Sequence, residues 1–356
     1  MLYKDYRREK VLRYLDSLKY GWRKFPPSLQ IGLTDHCFNR CVMCGHWKRE
    51  NKSIMDLPIL LSFLSAAKEM GLETVCYSGG DPFAYPVNGL IRLIEHHQKL
   101  GISYGFITSG FCNSDLVQHL KSAEFVRVSL DSVDAEMYKD SRGGVALDKV
   151  MESIGEMLWS EVNVGFGITA HRINVAGIED VLRYAIKTGV SEVRVWPCRE
   201  VPDLVMTANQ TRRLSGVLSK YADILDLTNV SNNLKETAYS LVSGERVGLS
   251  FDQCYACLYQ LFIHPNADVY PCCITAGDTQ DTSHCDPLFN IKMLSETELL
   301  SNSDTADLFA IYWNRIMDYH SIKIANLPAI CRRNCIPRLS TINHFAGKEM
   351  NRKLFL

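Results

Sequence analysis

The sequence lacks the features that send a chain to a membrane, to nucleic acid or into disorder. No apolar run approaches the roughly 20 residues that span a bilayer; the longest apolar region, around Leu57–Ala67, has the length of an ordinary helix. The first ten residues are crowded with charge and carry no apolar secretion signal. Neither sign of charge dominates: 39 basic against 40 acidic side chains leave a formal net charge of −1. Such a balance provides no bulk attraction to nucleic acid or to an anionic surface. There is no internal repeat, low-complexity tract or flexible linker. The expectation is a cytoplasmic globular protein with neither nucleic acid nor a membrane as partner.

What is present is a long chain with many thiols. At 356 residues and 46% hydrophobic side chains, it can bury one large core and a smaller unit. Thirteen cysteines are an odd number, and a reducing cytosol disfavours disulfides. Clustered intracellular cysteines point to metal instead.

Residues 4–20 have apolar side chains at helical spacing and predict an N-terminal amphipathic helix within residues 1–28. Strand patterns follow at 29–34, 74–78, 103–108, 126–130, 163–169 and 192–196, with helical patterns between them at 56–70, 88–100, 113–122, 145–159 and 176–188. That alternation predicts an α/β fold, a parallel sheet with helices on its outer face. Residues 29–200 are too few for a complete eight-stranded barrel of roughly 250 residues, so a partial (β/α)6 TIM-like barrel is expected. A helical linker over 201–250 and a small cysteine-rich domain over 251–356 complete the expected organisation. In that last segment a hairpin turns at Pro265-Asn266-Ala267-Asp268, and a helical segment lies at about 295–318.

Cys37-x3-Cys41-x2-Cys44 follows the first strand directly. The carboxyl ends of parallel strands are where α/β sites form. Three thiolates on one loop suit three irons of a four-iron cube and leave the fourth iron without a protein ligand. A structural zinc site is the competing reading, with His36 or His46 as a fourth ligand. The C-x3-C-x2-C run resembles the signature of the radical SAM superfamily. That resemblance implies a [4Fe–4S] cluster that binds S-adenosylmethionine (SAM) and cleaves it reductively to a 5′-deoxyadenosyl radical, which abstracts a substrate hydrogen. Further stretches resemble family motifs in the same order. Gly79-Gly80-Asp81-Pro82 resembles the G-G-E-P turn that cradles the SAM ammonium, with Asp81 as a shorter acceptor. Thr108-Ser109-Gly110 stands where relatives contact the ribose. Ser129-Leu130-Asp131 with Arg142-Gly143 resembles the stretch whose Ser and Arg hold the SAM carboxylate.

The later cysteines, Cys254-x2-Cys257-x14-Cys272-Cys273 and Cys331-x3-Cys335, resemble the SPASM/twitch extension of many radical SAM enzymes. One auxiliary [4Fe–4S] cluster is implied, with Cys254, Cys257, Cys272 and Cys335 as ligands and Cys331 and Cys273 as substitutes. Zinc again competes, since four thiolates suit it. An auxiliary cluster implies substrate oxidation or bond formation, and an external reductant such as flavodoxin or ferredoxin.

Two substrate classes follow: a ribosomally made peptide, or a small molecule such as an aminocyclitol or sugar that is dehydrogenated or epimerised. The residues before the first strand are too few for a fused leader-recognition domain. Cys273, where sulfatase-maturing relatives have Asp, argues against that activity. Cys198, after the sixth strand, is placed to donate a hydrogen atom to a substrate radical; the alternative is a buried structural thiol. Cys76, inside a strand, is expected in the core. A zinc-stabilised binding protein is the non-enzymatic alternative.

Overall fold

The computed structural model describes residues 25–198, 201–224, 256–273, 276, 286–294 and 302–321. The expected N-terminal helix, most of the expected linker, and Cys254, Cys285, Cys331 and Cys335 lie outside the described residues.

Six β–α steps build the body. Strands β1 (Ser28–Thr34), β2 (Thr74–Gly79), β3 (Ser103–Thr108), β4 (Phe125–Ser129), β5 (Val164–Ala170) and β6 (Glu192–Pro197) lie side by side in sequence order, every pair parallel. Among the described residues β6 and β1 do not pair, so the barrel is unclosed. Between the strands run α1 (Leu57–Glu69), α2 (Val87–Leu100), α3 (Ser114–Val117), α4 (Ala135–Arg142), α5 (Leu147–Trp159) and α6 (Ile178–Thr188), followed by α7 (Ala208–Ile224). The expected α/β partial barrel is what the chain forms.

Alternation within the strands explains the two faces. Leu29, Ile31 and Leu33 of β1, Val126 and Val128 of β4, and Val193 and Val195 of β6 join one hydrophobic cluster under the helices. The residues between them, including Gln30, Arg127, Ser129, Glu192, Arg194 and Trp196, face the concave side, here called the lumen. Cys76 belongs to this second set: it is buried but stands outside the helix-facing cluster. It is a core cysteine, as expected, and it points to the lumen face. Strands of a parallel sheet are covered on both faces, so burial alone does not tell which way a side chain points.

Local signals start and stop the helices. Asp56 caps α1 by accepting the Ile59 N–H at 3.0 Å. The helix α4 escaped the sequence reading because eight mixed-polarity residues carry too short a stripe. Its cap was legible: Asp134 accepts the Met137 N–H at 2.8 Å.

After α8 (Ala256–Tyr259) the hairpin appears as β7 (Gln260–Ile263) and β8 (Asp268–Tyr270), antiparallel, with Ala267 in the left-handed region of its turn at φ 77°. The hairpin does not stand apart. Strand β7 pairs parallel with β1, and β9 (Phe289–Asn290) pairs with β8, which makes a nine-stranded sheet in the order β6-β5-β4-β3-β2-β1-β7-β8-β9. Helix α9 (Asn302–Ser321) covers this addition: Phe309 meets Phe25 at 5.0 Å and Phe63 of α1 at 6.0 Å, and Tyr312 stacks on Phe289 at 3.8 Å. No described helix is long and apolar enough to cross a membrane.

Candidate active site

The cysteine loop leaves β1 at its carboxyl end and is held there from two sides. Gly80 N–H donates to Thr34 O at 2.7 Å, and Asp81 N–H to His36 O at 2.8 Å. On the other side, the N–H groups of Arg40 and Val42 donate to the carbonyls of Arg142 and Ser141 at 2.9 and 3.0 Å, at the end of α4. Two glycines make these approaches possible. A Cβ on Gly80 would stand 2.2 Å from His36 O, and one on Gly144, whose φ is +77°, 2.2 Å from Phe38 O.

The loop gathers Cys37, Cys41 and Cys44, and none of the described cysteines is in a disulfide. Cys44 N–H donates to Cys41 O at 3.1 Å. Two sulfurs receive donors: Asn39 N–H lies 3.4 Å from Cys37 Sγ, and Arg142 Nη1 lies 3.6 Å from Cys41 Sγ. Burial pushes the Cys37 thiol up to about 12, with the Asp81 carboxylate adding to it. Burial likewise pushes Cys41 up to about 11 against the pull of Arg142. Without a cation these thiols keep their protons; a bound cation would ionise them. A single zinc ion draws its thiolates to about 2.3 Å from one point. Among the described residues no three His, Cys, Asp or Glu side chains gather in that way. Three thiols on one short loop, two of them reached by N–H donors, suit an iron–sulfur core as a donor set.

The other expected residues meet at the same end of the sheet. Asp81 is fully buried, and its carboxylate accepts the Phe83 N–H at 3.0 Å, Thr108 Oγ1 at 2.8 Å, Ser109 N–H at 2.9 Å and Ser109 Oγ. It ties the end of β2 to the end of β3, which brings the Gly79-Gly80-Asp81 and Thr108-Ser109 stretches together. Burial raises its proton affinity even against these four bonds. Ser129 closes β4 on the lumen side.

Arg142 ends α4 and forms an ion pair, Nε to Asp131 Oδ2, at 2.8 Å, though not at hydrogen-bonding angle. Burial works against its charge, and Asp131 with the Cys41 sulfur outweighs burial, so the guanidinium stays ionised. Asp131 also accepts Thr169 N–H at 2.7 Å and Ser141 Oγ at 3.3 Å. Ser141 Oγ lies 2.9 Å from Nε2 of the buried His171.

Cys198 follows β6, is buried, and its N–H donates to Ala170 O at 2.7 Å. Cys257 is buried within the hydrophobic cluster on α8, while Cys272 and Cys273 are half-buried after β8.

One cluster went unread in the sequence. Asp35 receives Arg49 Nη1 at 2.8 Å and the Ser53 N–H at 3.0 Å, with His46 Nδ1 at 3.6 Å and His264 Nε2 at 3.7 Å. Burial would raise the Asp35 carboxyl, but His46, Ser53, His264 and Arg49 hold it down at about 2. The cluster joins the start of the cysteine loop to the β7–β8 turn, a contact between residues more than 200 apart that no local pattern announces.

The fold and this site define a radical SAM domain. Residues 31–185 match the family model described as the Radical SAM superfamily. Among curated proteins it is similar to the probable GTP 3′,8-cyclase of Sulfurisphaera tokodaii, 29% identical over 174 residues, which is 47% of this chain and 54% of that protein. The GTP 3′,8-cyclase of Peptoclostridium acidaminophilum is 32% identical over 135 residues, covering 36% of this chain and 41% of that one. The chain thus spans about half the length of the curated relatives it matches. Among solved structures, Streptococcus suis SuiB bound to precursor peptide SuiA has a TM-score of 0.61 at 18% identity, over 88% of this chain and 71% of that one. Native anSMEcpe with bound AdoMet and Cp18Cys peptide has a TM-score of 0.58 at 17% identity, over 80% and 84%. These likenesses establish the shared fold.

Proposed function

We propose that this protein cleaves SAM reductively and uses the resulting radical to oxidise, or form a bond in, a peptide substrate. The observation that carries the reading is the three-thiol loop, pinned by backbone hydrogen bonds between the Gly80 turn and the end of α4. Cys37, Cys41 and Cys44 would hold a [4Fe–4S] cluster that supplies the electron for SAM cleavage when bound. Gly79, Gly80, Asp81, Thr108, Ser109, Ser129 and Arg142 are assigned to SAM. Asp81 sets the ends of β2 and β3 so that the Gly79-Gly80 backbone is presented to the ligand. Arg142 keeps a positive charge beside the Cys41 sulfur, which lowers the cost of a thiolate there.

Cys254, Cys257, Cys272 and Cys335 are assigned to one auxiliary [4Fe–4S] cluster, whose chemistry when bound would be to take up the surplus electron of an oxidised substrate. Cys198, at the end of a lumen-facing series, is assigned as a hydrogen-atom donor. The proposed organisation is a barrel over 29–200 and an auxiliary-cluster segment over 251–356, in a cytoplasmic protein reduced by flavodoxin or ferredoxin. The peptide assignment draws on SuiB and anSMEcpe, both solved with a peptide bound.

A second reading, a nucleotide substrate, is favoured by the curated relatives named GTP 3′,8-cyclase. Their likeness is confined to less than half of this chain, which is why the peptide reading stands first.

The test is anaerobic reconstitution with iron and sulfide, then incubation with SAM and dithionite. Release of 5′-deoxyadenosine is expected; S-adenosylhomocysteine instead, or no turnover with a colourless protein, overturns the reading. Mass change of GTP in the same incubation would select the second reading.

A further inference from the structure

The lumen wall formed by β4, β5 and β6 carries a charge arrangement that the SAM assignments leave unused. Arg127 of β4 faces the lumen and is buried. Its Nε and Nη2 lie 2.7 and 2.6 Å from Glu192 Oε1 of β6. Arg194, two residues along β6, places Nη2 2.7 Å from Glu192 Oε2. Two guanidiniums therefore share one carboxylate and leave one positive charge over. Among the described residues no other carboxylate forms an ion pair with either arginine.

The intervening strand is shaped to allow this. Arg127, Gly165 and Glu192 stand in one row across β4, β5 and β6, and Ser129, Gly167 and Arg194 stand in the next row toward the carboxyl ends. A Cβ on Gly165 would stand 3.0 Å from Glu192 Cβ, and one on Gly167 3.2 Å from Arg127 Cδ. Without side chains on β5 in these rows, Arg127 reaches over the strand to Glu192. Burial lowers the proton affinity of Arg127, and the neighbouring Arg194 lowers it further; Glu192, which burial would raise, is held down by both arginines. Parallel strands buried on both faces are ordinarily near-continuous apolar runs. Two arginines in FVRVS and EVRVW are costly there unless the surplus charge has use.

We propose that Arg194, positioned by Glu192 and Arg127, binds an oxyanion of the substrate in the lumen, in the row of Ser129 and beside the SAM assigned there. This rests on the radical SAM reading and adds to it a substrate class: a molecule carrying a phosphoryl or carboxylate group. Guanidinium forks bind both groups through paired N–H donors.

The experiment is calorimetric titration of the reconstituted holoenzyme, with SAM saturating and ionic strength fixed, using pyrophosphate and glutarate as probes. Binding of at least one is expected, weakened ~10-fold or more in Arg194→Gln and strengthened several-fold in Glu192→Gln, which releases the second guanidinium. A preference for pyrophosphate identifies the phosphoryl source, and one for glutarate the carboxylate source. The proposal is overturned if neither probe binds, or if saturating SAM abolishes binding, which would give the charge to SAM itself. It is also overturned if both variants lower the melting temperature with anion affinity unchanged, the behaviour of a purely structural network. Should Arg194→Gln fail to fold, Arg194→Lys keeps the charge without the fork, and a several-fold loss of affinity is expected. Release of 5′-deoxyadenosine, measured in parallel, separates failure here from failure of the parent reading.

Discussion

The carboxyl ends of β1–β4 and the lumen wall of β4–β6 both bury charge, and they treat it in opposite ways. At the strand ends the buried Asp81 and Arg142 are engaged within the protein. Asp81 accepts four hydrogen bonds, and Arg142 is ion-paired with Asp131 while its Nη1 lies beside the Cys41 sulfur. In the lumen one carboxylate serves two guanidiniums, and a positive charge is left over. Saturated charge fixes backbone and offers a ligand a rigid rim. Surplus charge retains something to give to a ligand.

The comparison breaks or sharpens under substitution. The largest effect is expected from Cys37→Ala, Cys41→Ala or Cys44→Ala: loss of 5′-deoxyadenosine by a factor of ~10³ or more, with loss of the iron-dependent absorption. Chromatography of SAM incubations measures it, and turnover within tenfold of the parent would refute the cluster assignment. Next is Arg142→Met, which strands the fully buried Asp131 carboxylate and should cost about 3–5 kcal/mol in urea unfolding. Arg194→Gln should cost far less, about 1 kcal/mol, because Arg127 stays with Glu192. Equal costs at the two sites would erase the distinction.

Asp35 adds a pH dependence to the saturated end. Its folded carboxyl sits at about 2 against an ordinary 3.8. The stabilisation is therefore present above the ordinary value and is lost as pH falls toward 2, about 2 kcal/mol in all. Urea midpoints between pH 6 and pH 2 should show this slope, and Asp35→Asn should flatten it. The smallest effect is expected at the exposed Lys121–Glu161 pair, whose side chains are 62% and 74% exposed. Lys121→Ala should leave the urea midpoint unchanged.

Much of this was legible before any coordinates. The six strands and the helices between them follow from alternating and helical periodicity, and the cysteine loop falls at the carboxyl end of β1 as its position implies. Legibility failed where the deciding contact is distant. QLFI reads as one arm of a hairpin, and nothing local tells that its other edge joins β1. Glu192 and the arginines of FVRVS and EVRVW were visible throughout, but their partnership across a glycine strand appears only in three dimensions.

The seating of β7 on β1 has a consequence for synthesis. The strand that leads into the cysteine loop is made early, yet the partner for its second edge, Gln260–Ile263, emerges about 230 residues later. At roughly 5–20 residues per second the ribosome needs on the order of ten seconds or more to deliver it. During that interval the nascent chain offers the cell an open strand edge, a template for unwanted pairing, directly beside the thiols assigned to the cluster.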